Sequence, residues 1–300
     1  VSQFQRKDCG EAHIAQPRWT VVNIYEAGSF EGRALQWPVL ADSGALEVRL
    51  AETDHEVMLA QRLRYEVFYE EMSAVPSDAM RAVRRDFDKF DDVCDHLLVV
   101  DRDVHDVDGQ PLVVGTYRLT REKDAEKVGG FYTAAEFDLG RMISGMPKGT
   151  KYLELGRSCV QKNYRARPGT MQLLWKGLMA YVARFDIDLM FGCASFPGVD
   201  PKTMAMPLSY LHHFHAMPEA LRVTARPELY VPMNLMPADA IDAREGIRSL
   251  PAMLKGYVRA GCCIGDGAVI DEQFDTTDVF IFFPLSGIDA RYKSRFGLVK

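Results

Sequence analysis

The sequence predicts an α/β (α+β) fold, with a mixed, mostly antiparallel central sheet flanked by helices. Three observations lead there. Strand-like and helix-like runs alternate in the order β-α-β-β-α-β-α-β-α, with a β pair at the end. Two apolar runs, 97–100 and 112–119, flank a loop containing Asp108-Gly109, the pattern of an antiparallel hairpin. The stretch from Tyr152 to Trp175 reads as a strand, a basic turn and a helix.

Residues 1–45 lack periodicity and are expected to form an N-terminal extension to one domain spanning 46–300. Leu46-Glu-Val-Arg-Leu50 alternates like a strand. Thr53-Asp-His-Glu56 is a capping box, opening a long helix that carries Leu59, Leu63, Val67 and Met72 and stops before Pro76. An acidic loop (Arg85 to Asp92) precedes the hairpin. A short helix is expected over 133–146, the strand at 152–160, a helix from Thr170 to about Arg184 and a buried strand at 188–191. Asp200-Pro201 places a cap and an N1 proline before a helix running to about His215. Residues 218–248 are poorly patterned. A helix from Pro251 to Ala260 closes at Gly261, and strands follow near 263–269 and 278–284.

Composition excludes several classes. Of 300 residues, 47% are hydrophobic and 26% charged, which is ordinary for a globular chain. A net charge of −6 argues against a general nucleic-acid binder. The longest apolar runs, such as Val279 to Phe283, are too short to span a bilayer, which leaves only surface contact with a membrane open. Six cysteines without a C-x-x-C suggest reduced thiols and a cytoplasmic protein.

Between Arg157 and Trp175 this acidic chain has no acidic residue, while Lys162, Arg165 and Arg167 crowd the turn and Pro168-Gly169-Thr170 opens the helix. Free N–H groups at a helix start with basic side chains around them suit a phosphate or pyrophosphate group. Glu154, upstream on the strand, could act as a base beside that anion. Pairing of Glu154 with Arg157 is the structural alternative. It needs a bulge, because strict alternation puts the two on opposite faces, and Gly156 permits one. The N–H groups just after Arg157 are candidate oxyanion donors. Arg118, in a strand interior, either clamps a substrate carboxylate or pairs with Asp88 or Asp91. Those acids either receive an ammonium or order a loop. His212-His-Phe-His215 invites a metal reading, but no third ligand stands at a meaningful spacing, so no metal is expected. Cys159 and Cys193 have no histidine paired with them as nucleophiles would.

The element order and the strand–basic turn–helix unit resemble the GNAT superfamily of acyl-CoA N-acyltransferases. The superfamily's glycine-rich pyrophosphate loop is degenerate here: Arg165-Ala-Arg-Pro168-Gly169-Thr170 keeps the basic lead and one glycine. Arg64-Tyr-Glu-Val-Phe68, Asp86-x-Asp88-x-x-Asp91, Gly115-Thr-Tyr-Arg118-Leu and Glu154-x-x-Arg157 resemble the acyl-homoserine-lactone synthases. The span 46–285 is similar to bacterial L-ornithine Nα-acyltransferases, notably at Gly130-Phe-Tyr-Thr-Ala-Ala-Glu-Phe-Asp138 and Leu250-Pro-Ala-Met-Leu-Lys-Gly-Tyr-Val-Arg-Ala-Gly261. This resemblance implies transfer of a (3-hydroxy)fatty acyl group from acyl carrier protein to the α-amine of ornithine, giving lyso-ornithine lipid. The donor would be the acyl-phosphopantetheine of that carrier, with no cofactor bound permanently. Partners would be acyl carrier protein and an amino acid, with no nucleic acid and at most peripheral contact with the inner membrane. The site would comprise Glu154 and Arg157 for catalysis and Arg64, Asp88, Asp91 and Arg118 for substrate. Lys162, Arg165, Arg167, Gly169 and Thr170 would meet the carrier. Glycine or S-adenosylmethionine as acceptor, or a carrier-binding module without turnover, are the rival readings.

Overall fold

The computed structural model describes residues 39–287 except Pro168. Its strands are β1 (Ala41–Ser43), β2 (Leu46–Leu50), β3 (Asp95–His105), β4 (Pro111–Arg121), β5 (Phe137–Asp138), β6 (Tyr152–Val160), β7 (Leu189–Pro197), β8 (Thr224–Ala225), β9 (Cys263–Asp271) and β10 (Thr276–Pro284). They lie in the order β1-β2-β3-β4-β6-β7-β10-β9-β8-β5. Most neighbours are antiparallel; the parallel pairs are β6–β7 and β8–β9. β1, which lies inside the segment expected as extension, pairs with β2.

The helices are α1 (Asp54–Tyr65), α2 (Asp78–Val83), α3 (Glu122–Ala125), α4 (Gly140–Gly145), α5 (Lys162–Arg165), α6 (Thr170–Phe185), α7 (Ala205–Phe214), α8 (Ala243–Ser249) and α9 (Ala252–Ala260). Thr53 caps α1 by accepting from the Glu56 N–H. Glu56 reaches back to the Glu52 N–H, one residue earlier than a standard capping box. α1 passes into a wider-wound π turn over Glu66–Glu71. The expected helix at 133–146 is broken into a 3-10 turn (Tyr132–Ala135), β5 and α4.

Alternation along the strands divides the core between two faces. Leu153, Leu155, Met190, Val279 and Ile281 share one core with Leu174 and Leu178 of α6. Tyr152, Phe191, Phe280 and Phe282 point the other way, under the 131–142 segment. On that second face α1 covers β3 and β4, packing Ala60 and Leu63 against Leu98 and Val113. Cys262 and Cys263 fall on opposite faces, as adjacent strand residues should. Cys94, Cys159, Cys193 and Cys262 are free thiols.

Candidate active site

The site is built where β6 changes neighbours. β6 pairs in parallel with β7 over three residues, Tyr152↔Leu189, Leu153↔Met190 and Glu154↔Phe191. Both strands then run on, β7 staying with β10 and β6 with β4. They part just after Glu154, leaving a wedge in the middle of the sheet. Gly192 sits at the fork: a Cβ there would lie 2.3 Å from the Leu155 carbonyl oxygen.

On its other side β6 bulges. Gly156 pairs with Arg118 and Cys159 with Thr116, so Arg157 and Ser158 face Tyr117 alone. The expected bulge exists, but Arg157 rather than Gly156 takes the left-handed conformation, with φ 51°. A non-glycine residue there costs about 1–2 kcal/mol. Charge pairing around its head offsets this: Arg157 stands 3.4 Å from Asp86 and 3.6 Å from Asp88, and lies 4.5 Å over the Phe274 ring. Its partners are thus Asp86, Asp88 and the Tyr132 hydroxyl, at 3.4 Å.

Arg64 anchors the network from α1. It is fully buried, donating Nε to Asp86 at 2.7 Å and Nη2 to both Asp91 oxygens at 2.8 Å. Arg118 donates to Asp88 at 2.7 Å and stands 3.7 Å from Asp91. Tyr69 donates to the other Asp86 oxygen. Of the two roles open for Arg118, pairing with Asp88 and Asp91 is the one present. Burial opposes ionisation of Asp86, but Arg157, Arg64 and Tyr69 hold its carboxyl below the usual range. Asp88 shifts the same way, burial being outweighed by Arg118 and Arg157. Asp86 was legible only as the first acid of D-x-D-x-x-D, yet it is the most connected.

Glu154 is 3% exposed. Its Oε2 accepts the Tyr132 N–H at 3.1 Å and its Oε1 the Thr133 N–H at 2.7 Å. Burial pushes its pKa up, and these amide donors moderate the rise. The carboxylate therefore sits at the fork and ties down the 131–136 segment. Thr133 and Cys193 continue the same wall, with Cys193 Sγ 3.8 Å from the Thr133 hydroxyl.

The basic turn contains α5, which sequence did not reveal. Arg165 donates Nη2 to Glu71 at 2.8 Å and Nε to the Val160 carbonyl at 2.7 Å. Arg167 stacks on Tyr164 and stands 3.5 Å from Asp101. Lys162 is exposed. Gly169 caps α6 at φ 96°, and Thr170 is buried with its hydroxyl unpartnered. The three histidines turn to different partners: His212 to Asp266, His213 to the Met236 carbonyl and His215 to Tyr210.

A mixed sheet that opens between two parallel strands, beside a bulge and a helix start, defines an acyltransferase of the GNAT type. The acetyltransferase (GNAT) domain model matches residues 63–176, from α1 through the start of α6. The chain is 47% identical over 259 residues to the L-ornithine N(alpha)-acyltransferase of Rhizobium meliloti, covering 86% of each chain. It is 48% identical over 259 residues to the enzyme of that name from Brucella abortus, covering 86% of this chain and 91% of that one. The chain belongs to the L-ornithine N(alpha)-acyltransferase family and is an N-acyltransferase. Among solved structures, FeeM, an N-acyl amino acid synthase from uncultured soil microbes, aligns with 85% of this chain and 98% of its own at TM-score 0.44 and 9% identity. Among the described residues no helix is long and apolar enough to cross a membrane.

Proposed function

We propose that the chain transfers a (3-hydroxy)fatty acyl group from acyl carrier protein to the α-amine of L-ornithine, giving lyso-ornithine lipid. The parting of β6 and β7 at Glu154 carries this reading. An extended thioester arm can lie between the separated strands, with its carbonyl at the fork. Family membership supports ornithine as acceptor. The donor's phosphopantetheine enters along Lys162, Arg165 and Arg167 towards Gly169 and Thr170, since the start of a helix such as α6 suits a phosphate. No resident cofactor or metal is required.

Thioester aminolysis needs a deprotonated amine, stabilisation of the oxyanion and alignment of both reactants. Glu154 takes the ammonium proton, directly or through a water. A carboxylate has about four acceptor sites, so the Tyr132 and Thr133 amides and the Thr133 side chain leave room for one further bond. Its raised pKa brings it nearer that of the amine. Backbone N–H groups of the bulge receive the oxyanion. Arg157 offers its charge to the acceptor carboxylate, with Asp86 3.4 Å from its Nε and Asp88 3.6 Å from its Nη2 orienting the guanidinium. Arg64, Asp88, Asp91 and Arg118 hold that guanidinium and the rim of the site. The reaction takes place in the cytoplasm, with peripheral contact at the inner membrane where the lipid product leaves.

Purified protein given 3-hydroxyacyl carrier protein and a panel of amino acids tests this. Mass spectrometry is expected to show N-acyl ornithine above all other products. Equal acylation of glycine, or acylation only from acyl-CoA, would remove the reading.

A further inference from the structure

A second acid cluster lies beyond Glu154, on the same face of the sheet. Its members are Glu136, just after the 3-10 turn, Cys193 on β7 and Asp278 on β10. Their donor atoms all lie within 4.8 Å of one another. Cys193 stands opposite Phe280 in the ladder and Asp278 opposite Ser195, so both project from the face that carries Phe191 and Phe280. Thr133 joins the two sites, its N–H on Glu154 and its hydroxyl against Cys193.

Among the described residues no cation touches the cluster; Arg157, beyond ion-pair distance, is the arginine whose charge reaches both Glu136 and Asp278. Asp278 is 7% exposed, and its Oδ1 is buried without a hydrogen-bond partner, as is the neighbouring Thr276 hydroxyl. No lysine or arginine among the described residues forms an ion pair with Glu136 or Asp278, whereas Asp86, Asp88 and Asp91 are each matched to an arginine. Burying two acids side by side without an ion-pair partner is costly unless something positive joins them. The Cys193 thiol donates to Glu136 Oε2 at 3.3 Å, and burial, with Asp278 alongside, pushes Glu136 up to about 7.

We propose that Glu136 and Asp278, walled by Cys193 and Thr276, bind the distal ammonium of the amino-acid acceptor and so select a diamino acid. The assignment rests on the ornithine reading above. Its geometry is that of β7. Cys193 lies two residues past Phe191, which pairs with Glu154, a step of roughly 7 Å. Four carbons separate the two amines of ornithine, a comparable span. An acceptor with its α-amine at Glu154 and its carboxylate towards Arg157 then sets its far end among the acids. Asp88 and Asp91, the first candidates for this role, already face Arg118 and Arg64. An ammonium fits better than a metal, because burial holds the Cys193 thiol protonated.

The test compares L-ornithine with L-norvaline, the same carbon chain without the distal amine, in wild type, Glu136→Gln and Asp278→Asn. Each substitution is expected to lower the ornithine-over-norvaline preference in kcat/KM by about 30-fold or more, with norvaline turnover within about threefold of wild type. Parallel loss of both substrates in folded protein, or an unchanged preference, overturns the assignment. If wild type acylates no ornithine, the earlier reading fails by itself. Calorimetric titration of 1,4-diaminobutane then still decides: binding weakened about tenfold or more by Glu136→Gln upholds the site, while equal or absent binding overturns it. One-to-one zinc binding abolished by Cys193→Ser would overturn it in favour of a metal.

Discussion

At the scale of single residues, the site is held by arginines buried to order acids. Arg64 is the clearest case, with no exposed surface and bonds to two carboxylates and a backbone carbonyl. Arg64→Ala strands Asp86 and Asp91 in the interior. It is expected to cost about 3–5 kcal/mol in urea unfolding. Arg64→Lys should recover little, because one ammonium cannot reproduce the Nε and Nη2 pair. A lysine variant as stable as wild type would contradict this geometry. Glu154 separates anchoring from chemistry. Glu154→Gln keeps the volume and one acceptor oxygen, but turns an NH2 towards the Tyr132 or Thr133 N–H. It should cost about 1–3 kcal/mol of stability, and kcat should fall by about 10²-fold or more if the carboxylate carries the proton. A glutamine enzyme with normal kcat would leave Glu154 as an anchor only.

At the scale of elements, the fork between β6 and β7 is the functional device, and Gly192 permits it. In Gly192→Ala the methyl meets backbone rather than a movable side chain. The strands must shift, at about 1–3 kcal/mol, and acyl transfer should fall by more than the loss of folded protein explains. Activity per folded molecule, after correction by circular dichroism, measures this; an unchanged value would mean that the fork geometry is not critical. The basic turn divides as well. Arg165 is committed to Glu71 and Val160, so Arg165→Ala should loosen the turn. Lys162→Glu should instead raise KM for the carrier several-fold and flatten its salt dependence. The sequence shows the strand, turn and helix here because each has a local period or cap. It hides α5, and it hides the break of 133–146 into three pieces, because distant partners shape that segment: Glu154 holds its start and β8 pairs with 137–138. The Glu136–Cys193–Asp278 cluster is invisible for the same reason. Three elements distant in the chain build it, and nothing local to Glu136, Cys193 or Asp278 shows that they meet.

At the scale of the whole molecule, buried titratable groups set how stability responds to pH, and two of them oppose each other. Glu136, facing Asp278, Asp271, Cys193 and Arg157, rises from an ordinary 4.5 to about 7. Its contribution is fully present below pH 4.5 and is lost as pH rises through 7. Burial lowers His215 to about 4, so its contribution is present above 6.5 and is lost as pH falls towards 4. Each shift is worth on the order of 3 kcal/mol across its window. Between pH 4.5 and 6.5 the two slopes have opposite sign and nearly cancel. Above 6.5 the His215 slope has ended while Glu136 still titrates, and stability should decline towards pH 7.5. Asp86 and Asp88, with depressed pKa values, lose their contribution only as pH falls below about 4. Urea midpoints at pH 5, 6.5 and 7.5 for wild type and Glu136→Gln test this. The glutamine variant should gain on wild type progressively from pH 5 to 7.5, and should decline less than wild type above 6.5. A saturating diammonium ligand should remove the same decline in wild type, since it takes the place of the proton. A variant that tracks wild type at a constant offset across all three pH values would show that Glu136 does not titrate near neutrality.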